Sequence, residues 1–185
     1  MSYTIEKYVD QGSRSSFYKL TNRGKGFKTF CSKYDAEYAH KVQKTLAEYD
    51  LAPRVYSEVG RIKRNGKFTE WGYITEIAKT LQPKGCAGNC GCTDCCDDEC
   101  YYSDEIYQLQ SDIEDLGFYF GDAHIGNIGY VRRNGVSVMV CIDTGYESVD
   151  GGGYDEDEDD GEDDNDLVDT GCNCVICVAW RRDNG

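Results

Sequence analysis

Long apolar runs are missing from this 185-residue chain. No stretch approaches the roughly 20 apolar residues that a membrane-spanning helix needs. The start, Met1-Ser2-Tyr3-Thr4-Ile5-Glu6-Lys7, has no basic segment followed by an apolar one, so no signal peptide is expected and a cytoplasmic location is. Proline is scarce, with 2 in the chain, and positive charge is outnumbered: 20 Lys and Arg stand against 34 Asp and Glu, a formal net charge of −14. That balance opposes contact with a phosphate backbone, so direct nucleic-acid binding is not expected. Much of the acid is local, in the run from Asp155 to Asp164. Adjacent carboxylates repel one another and stay solvated, which predicts a mobile segment. Residues 155–166 would suit a basic protein surface. Asp155, Asp157 and Asp159 begin like a calcium loop, but Gly161 falls one place late, so solvated charge is the reading adopted.

What the chain does have is 39% apolar residues, 15 Tyr and 11 Cys. Its length suits one domain with appendages. Cys31 and Cys141 fall in apolar, strand-like surroundings and read as small buried side chains. The others cluster. Cys86, Cys90, Cys92, Cys95, Cys96 and Cys100 share a segment with almost no other apolar residue. Such a segment cannot pack a core by itself, and zinc bound by thiolates supplies the missing folding energy in modules of this kind. One zinc with spare ligands is one arrangement. A second zinc recruiting Cys172, Cys174 and Cys177 is another.

The most informative pattern is Gly121-Asp122-Ala123-His124-Ile125-Gly126-Asn127, followed by the apolar run 136–142 and then Asp143-Thr144-Gly145. Asn134-Gly135 lies between two β-rich runs, the strongest short-range hairpin signal. Asn127 therefore leads into one strand and Asp143 leaves its partner, so both side chains meet at one end of a hairpin. A carboxylate and an amide held there suit Mg²⁺, which takes a few protein oxygens and completes its shell with water and phosphate. Asp122, on the preceding loop, is placed to accept a proton from a hydroxyl.

This pattern resembles the catalytic core of the protein-kinase-like superfamily, closest to the aminoglycoside-phosphotransferase type. That family carries a His-Gly-Asp-x-x-x-x-Asn loop and a later Asp-Phe-Gly. Here Phe120 stands in place of the first His, and Asp143-Thr144-Gly145 in place of Asp-Phe-Gly. The resemblance implies ATP and Mg²⁺ as ligands, Asp122 as the catalytic residue, and Asn127 and Asp143 as metal ligands. It also implies that Gly12, Ser15 and Ser16 form a Ser-rich version of the phosphate-covering loop. Lys28, on a strand after a second turn, would reach the phosphates. A helix from Ser32 to about Tyr49 would supply Glu37 to hold Lys28, with Gln43 the alternative and Glu48 late. Glu76 and Ala78 fall where the family offers backbone groups to adenine.

The implied fold is α+β: an antiparallel nucleotide lobe over 1–80, a Cys-rich metal-binding insertion over 81–102, and a reduced C-terminal lobe over 103–146. An acidic flexible segment follows over 147–171, then a Cys-containing tail over 172–185. Helix 103–116 is expected to be capped by Ser103 and to end at Gly117. The resemblance stops at Gly145, so the usual acceptor platform is missing. Two functions are carried forward. One is a compact phosphotransferase acting on a hydroxyl acceptor. The other is a kinase-like pseudoenzyme that binds or inhibits a partner through its acidic and Cys-rich segments. Small acidic proteins of that sort occur among viral host-takeover factors, which would place it in a host cytoplasm.

Overall fold

In a computed structural model, residues 5–11, 15–21, 24–64, 67–81 and 102–151 are described. All the clustered cysteines (86–100 and 172–177), the turn at Gly12 and the acidic run lie outside those residues. The described part is a mixed helix and antiparallel-sheet structure. It begins with strands β1 (Ile5–Gln11), β2 (Ser15–Leu20) and β3 (Lys25–Phe30), then helix α1 (Lys33–Glu48). Strands β4 (Gly60–Arg64) and β5 (Lys67–Glu76) complete a five-stranded sheet in the order β1-β2-β3-β5-β4.

The second half contains β6 (Lys79–Thr80), helix α2 (Ser103–Glu114), β7 (Tyr119–Phe120), β8 (Ile128–Arg133), β9 (Val136–Cys141) and β10 (Val149–Asp150). β6, β8 and β9 form one antiparallel sheet, and β7 pairs with β10.

Helix α1 forms where the apolar period is helical and a cap is present. The Ser32 side chain accepts from the Asp35 backbone N–H at 3.0 Å, satisfying one of the donors a helix start leaves open. Its buried face serves two cores at once. Ala36 and Ala39 pack with Phe30 and Tyr73 under the first sheet, whereas Tyr38, Val42 and Leu46 join Leu109, Ile113, Phe120, Ile128 and Val149. Gln43, buried between these groups, donates to Pro53 O and Thr75 Oγ1 and accepts from the Tyr73 hydroxyl. Its amide is thus a satisfied polar pin inside the core.

The β8–β9 hairpin turns at Asn134 (φ 52°) and Gly135 (φ 86°). Two successive positive φ angles match the twist of the flanking strands, which is why this dipeptide is favoured there. Three expectations from the sequence are revised. Ser103 does not cap α2: it is the first helical residue, the cap position is Tyr102, and no side chain bonds there. Asp104 and Glu105 instead place negative charge against the exposed N–H groups of the first turn. The helix ends at Glu114, and Gly117 (φ 83°) reverses the chain, with Phe118 N–H returning to Ile113 O at 3.3 Å. Residues 51–56, whose Pro53 forbids helix continuation and which read from the sequence as entering a strand, make a single bridge instead, Val55 to Thr75, because Pro53 lacks an N–H to extend the ladder. Within residues 147–151, the start of the segment expected to be flexible, Ser148 and Val149 are buried and the chain stays packed through β10.

Arg133 ties the hairpin to the first sheet. Its guanidinium donates to Asp50 Oδ1 at 2.7 Å and to Glu76 Oε1 at 2.6 Å. The Arg133 side chain is 7% exposed and Glu76 17%, so removing one partner strands a poorly hydrated charge. Arg133→Ala is expected to lower unfolding stability by about 2–3 kcal/mol, less than a fully buried pair because Asp50 stays hydrated. Chemical denaturation at neutral pH measures it, and an unchanged midpoint contradicts the assignment.

Candidate active site

Alternation along β3 puts Gly26, Lys28 and Phe30 on one face of the sheet. On β2, Phe17 pairs directly with Lys28, so its side chain shares that face. Its ring lies over Gly26, and any side chain at position 26 would collide with it. Lys28 itself is buried, and its Nζ crosses to the second half of the chain. It donates to Ile142 O at 3.0 Å and meets Asp143 Oδ1 at 3.3 Å.

The hairpin register places the rest. Ile128 pairs with Cys141, and the next residues continue the ladder, with Ile142 N–H on Asn127 O at 2.8 Å. Asn127 and the Asp143 loop therefore lie at the same end. A chain of side-chain contacts runs between them. Asn127 Nδ2 donates to Asp122 Oδ2 at 2.8 Å and reaches Ser148 Oγ at 3.4 Å, and Ser148 Oγ donates to Asp143 Oδ2 at 3.1 Å. Asp122, Asn127, Ser148, Asp143 and Lys28 are thus one connected polar line.

His124 braces the Asp122 loop. Its Nδ1 accepts from Gly126 N–H at 3.0 Å and its Nε2 faces Asp122 Oδ2 at 3.5 Å. The loop after Asp143 is held just as firmly. Thr144 donates to Ala39 O at 3.0 Å, in the middle of α1, and Tyr38 donates to Val149 O at 2.8 Å while accepting from Gly151 N–H. Helix α1 therefore fixes the segment that carries Asp143.

Burial alone would push the Asp143 carboxyl up. The Lys28 ammonium, the Gly145 N–H and the Ser148 hydroxyl outweigh it and hold the group below its ordinary value. Lys28 is the mirror case: burial pulls it down, but the charge of Asp143 leaves it raised. Burial pushes the neighbouring Cys141 thiol far up, so it stays protonated and inert.

The other residues singled out by sequence divide. Ser15 lines a cavity of about 30 Å³ with Asp143 and Ser148, while Ser16 contributes its carbonyl to Thr29. Glu37 is not at Lys28. It points to solvent and pairs with Lys33 one turn back, at 3.2 Å. Position 37 lies about 100° around the helix from buried Ala36, which turns it off the sheet. Gln43 is in the core, bonded to Pro53, Thr75 and Tyr73, and Glu48 is exposed at the helix end. The N–H of Glu76 donates to Arg54 O, and that of Ile77 to Gly24 O. Glu76 and Ala78 line a different groove. Sequence reading missed the roles of Ser148, Thr144 and Tyr38: Thr144 and Tyr38 bond across 105 and 111 residues, and Ser148 sits in an irregular loop that carries no spacing signal.

No group of three or more His, Cys, Asp or Glu able to hold a metal occurs among the described residues. Among them, no helix is long and apolar enough to cross a membrane. No family model matches the chain, and no curated protein matches it. Among solved structures, it is similar to the Cydia pomonella granulovirus kinase PK-1, with 16% identity and a TM-score of 0.47 over 77% of this chain and 53% of that one. The chain spans about half the length of that kinase.

The ion pair makes a pH-dependent contribution whose sign follows from the two shifts. Asp143, lowered, adds stability above the ordinary 3.8 and loses it as pH falls through its folded value. Lys28, raised, adds stability below the ordinary 10.5 and loses it as pH rises through its folded value. Lys28→Met removes the cation that most opposes burial at Asp143, leaving only the Gly145 N–H and the Ser148 hydroxyl. The variant is expected to lose roughly 2 kcal/mol at pH 7, discounted because the carboxylate is partly exposed. The deficit should shrink as pH falls from 3.8 through the lowered folded value of Asp143, below which the carboxyl is protonated in both states. Denaturant unfolding at both pH values checks this, and a deficit independent of pH contradicts it.

Proposed function

We propose that this chain is a compact kinase-like protein that binds ATP with Mg²⁺ and transfers a phosphoryl group to a hydroxyl acceptor. The observation that carries the reading is the polar line itself: a buried Lys from a strand on an Asp that ends a hairpin, with Asn127 and Asp122 joined at the same end. A scaffold has no need to bury Lys28 against Asp143.

The residues present fit the ligands. Asp143 Oδ2 carries one hydroxyl contact. The Asn127 amide turns its nitrogen toward Asp122 and Ser148, leaving the carbonyl oxygen for a cation. One carboxylate and one amide oxygen suit Mg²⁺, which completes its shell with water and phosphate. When bound, Mg²⁺ neutralises charge on the phosphate oxygens. Lys28 would turn from Ile142 O to those oxygens. Asp122, more than half exposed, would orient the acceptor hydroxyl and take its proton, with His124 and Asn127 fixing its rotamer. Catalysis would come from positioning and charge, as in phosphoryl transfer generally. The finer resemblance, to the aminoglycoside-phosphotransferase type with a shortened C-terminal lobe, is part of the same proposal. So are a zinc-binding module at 86–100 and a location in the cytoplasm of a host cell.

A second reading has its own support. The cavity beside Asp143 holds about 30 Å³, space for a water or an ion, against the 300 Å³ or more that small-molecule sites need. A kinase-like pseudoenzyme would keep Lys28 on Asp143 permanently and act through its acidic and Cys-rich segments.

ATP binding separates the two. The melting temperature is expected to rise with ATP, and further with Mg²⁺ than with EDTA, because a ligand specific to the folded state stabilises it. Asp143→Asn should remove the Mg²⁺-dependent part. Asp122→Asn should retain nucleotide binding and abolish transfer. Absence of any ATP-dependent shift would leave the pseudoenzyme reading standing.

A further inference from the structure

Ser148 lies between Asn127 and Asp143 and is 4% exposed. Its backbone is pinned on both sides. Its own N–H and that of Val149 both donate to Gly145 O at 2.9 Å, which closes a tight turn. Val149, the next residue, is fully buried and pairs with Phe120 across β10 and β7. The hydroxyl is therefore presented at a fixed place.

A serine hydroxyl has one proton to donate and two lone pairs. The proton goes to Asp143 Oδ2 at 3.1 Å. Toward Asn127 the oxygen can then only accept, and Nδ2 reaches it at 3.4 Å. An amide turned the other way would set two acceptor oxygens against each other. Terminal amide torsions are broad and roughly two-fold, so the backbone alone does not make this choice. Ser148 makes it together with Asp122, whose carboxylate and carbonyl also take Nδ2.

Among the described residues, Ser148 is the one side chain bonded to both Asn127 and Asp143, whose own side chains share no direct bond. The hairpin fixes their backbones, with Ile142 N–H on Asn127 O at 2.8 Å. It does not fix the separation of their side-chain oxygens. On Asp143, Oδ1 takes Lys28 and the Gly145 N–H. Among the described residues, Oδ2 is oriented by Ser148 alone.

We infer that Ser148 is a positioning residue that ties the Asn127 amide to the Asp143 carboxylate and so makes the site select Mg²⁺ over Ca²⁺. The inference rests on the reading that these two residues hold the cation. Mg²⁺ demands near-octahedral geometry with bonds of about 2.0–2.1 Å, whereas Ca²⁺ accepts irregular shells at about 2.3–2.6 Å. A tied pair of ligands favours the smaller, stricter ion. A pair free to move apart loses that preference. Ser148 touches neither nucleotide nor acceptor in this scheme; it acts through its two neighbours.

The test uses the full chain with saturating ATP and follows the melting temperature during titration with MgCl₂ or CaCl₂. The parent is expected to reach its half-maximal shift at a lower concentration of Mg²⁺ than of Ca²⁺. In Ser148→Ala the Mg²⁺ concentration needed should rise about tenfold or more, as for other residues that orient metal ligands, with little change for Ca²⁺. The shift given by ATP in EDTA should be retained. Ser148→Cys fills the same place with a weak donor and should show the same loss, and it carries the test if the alanine variant does not fold. A hydroxyl with a merely structural role would lower the melting temperature of the unliganded variants and leave the ratio of the two cation concentrations as in the parent. That result overturns the inference and leaves the Mg²⁺ reading intact, as does a parent that responds to both ions alike. A parent with no cation-dependent shift contradicts the Mg²⁺ reading itself, and the inference falls with it.

Discussion

The contact between Lys28 and Asp143 spans 115 residues of sequence, and much of the molecule is arranged around it. A buried ammonium and a carboxylate are each costly to desolvate alone, and the pair persists because its remaining bonds are made. Lys28 finds Ile142 O. Asp143 finds the Gly145 N–H and the Ser148 hydroxyl. The pair joins the five-stranded sheet to the hairpin that carries Asn127. Among the described residues, the two halves also meet through α1, the Arg133 bridge, the Cys141 N–H on Leu51 O and the connection after β5.

Helix α1 is the second element of that arrangement. It places one set of side chains in each apolar core and receives two hydrogen bonds from the segment around Asp143, from Thr144 and to Tyr38. In the chemistry proposed here, that anchoring matters because phosphoryl transfer depends on position more than on covalent steps. A helix that packs on both halves fixes the carboxylate relative to the lysine. No Glu from α1 takes part: Glu37 faces water, and Asp143 occupies the place beside Lys28 that the sequence assigned to it.

Local signals were legible in the sequence, and long-range ones were not. Asn134-Gly135 announced its hairpin because few dipeptides tolerate two positive φ angles. Ser32 announced the start of α1 because its hydroxyl competes for an open N–H. The hairpin in turn brought Asn127 and Asp143 together, since register fixes what lies at its ends. Ser148, Thr144 and Tyr38 carried no such signal. The partners of Thr144 and Tyr38 are set by packing between distant segments, which one-dimensional spacing does not encode, and Ser148 reaches Asp143 from an irregular loop. Ser103 misled because a Ser before acidic residues reads as a cap, yet the helix starts one position earlier than that pattern implies.

The pair at Lys28 and Asp143 is the point on which both the architecture and the proposed chemistry depend, and a double-mutant cycle probes it directly. Lys28→Met, Asp143→Asn and the double variant are unfolded by denaturant at pH 7. If the two groups interact as described, the double variant loses less stability than the sum of the single losses, with a coupling of about 1–3 kcal/mol. Losses that add to within about 0.5 kcal/mol would mean that the two side chains act independently, and the account of how the halves are joined would be contradicted.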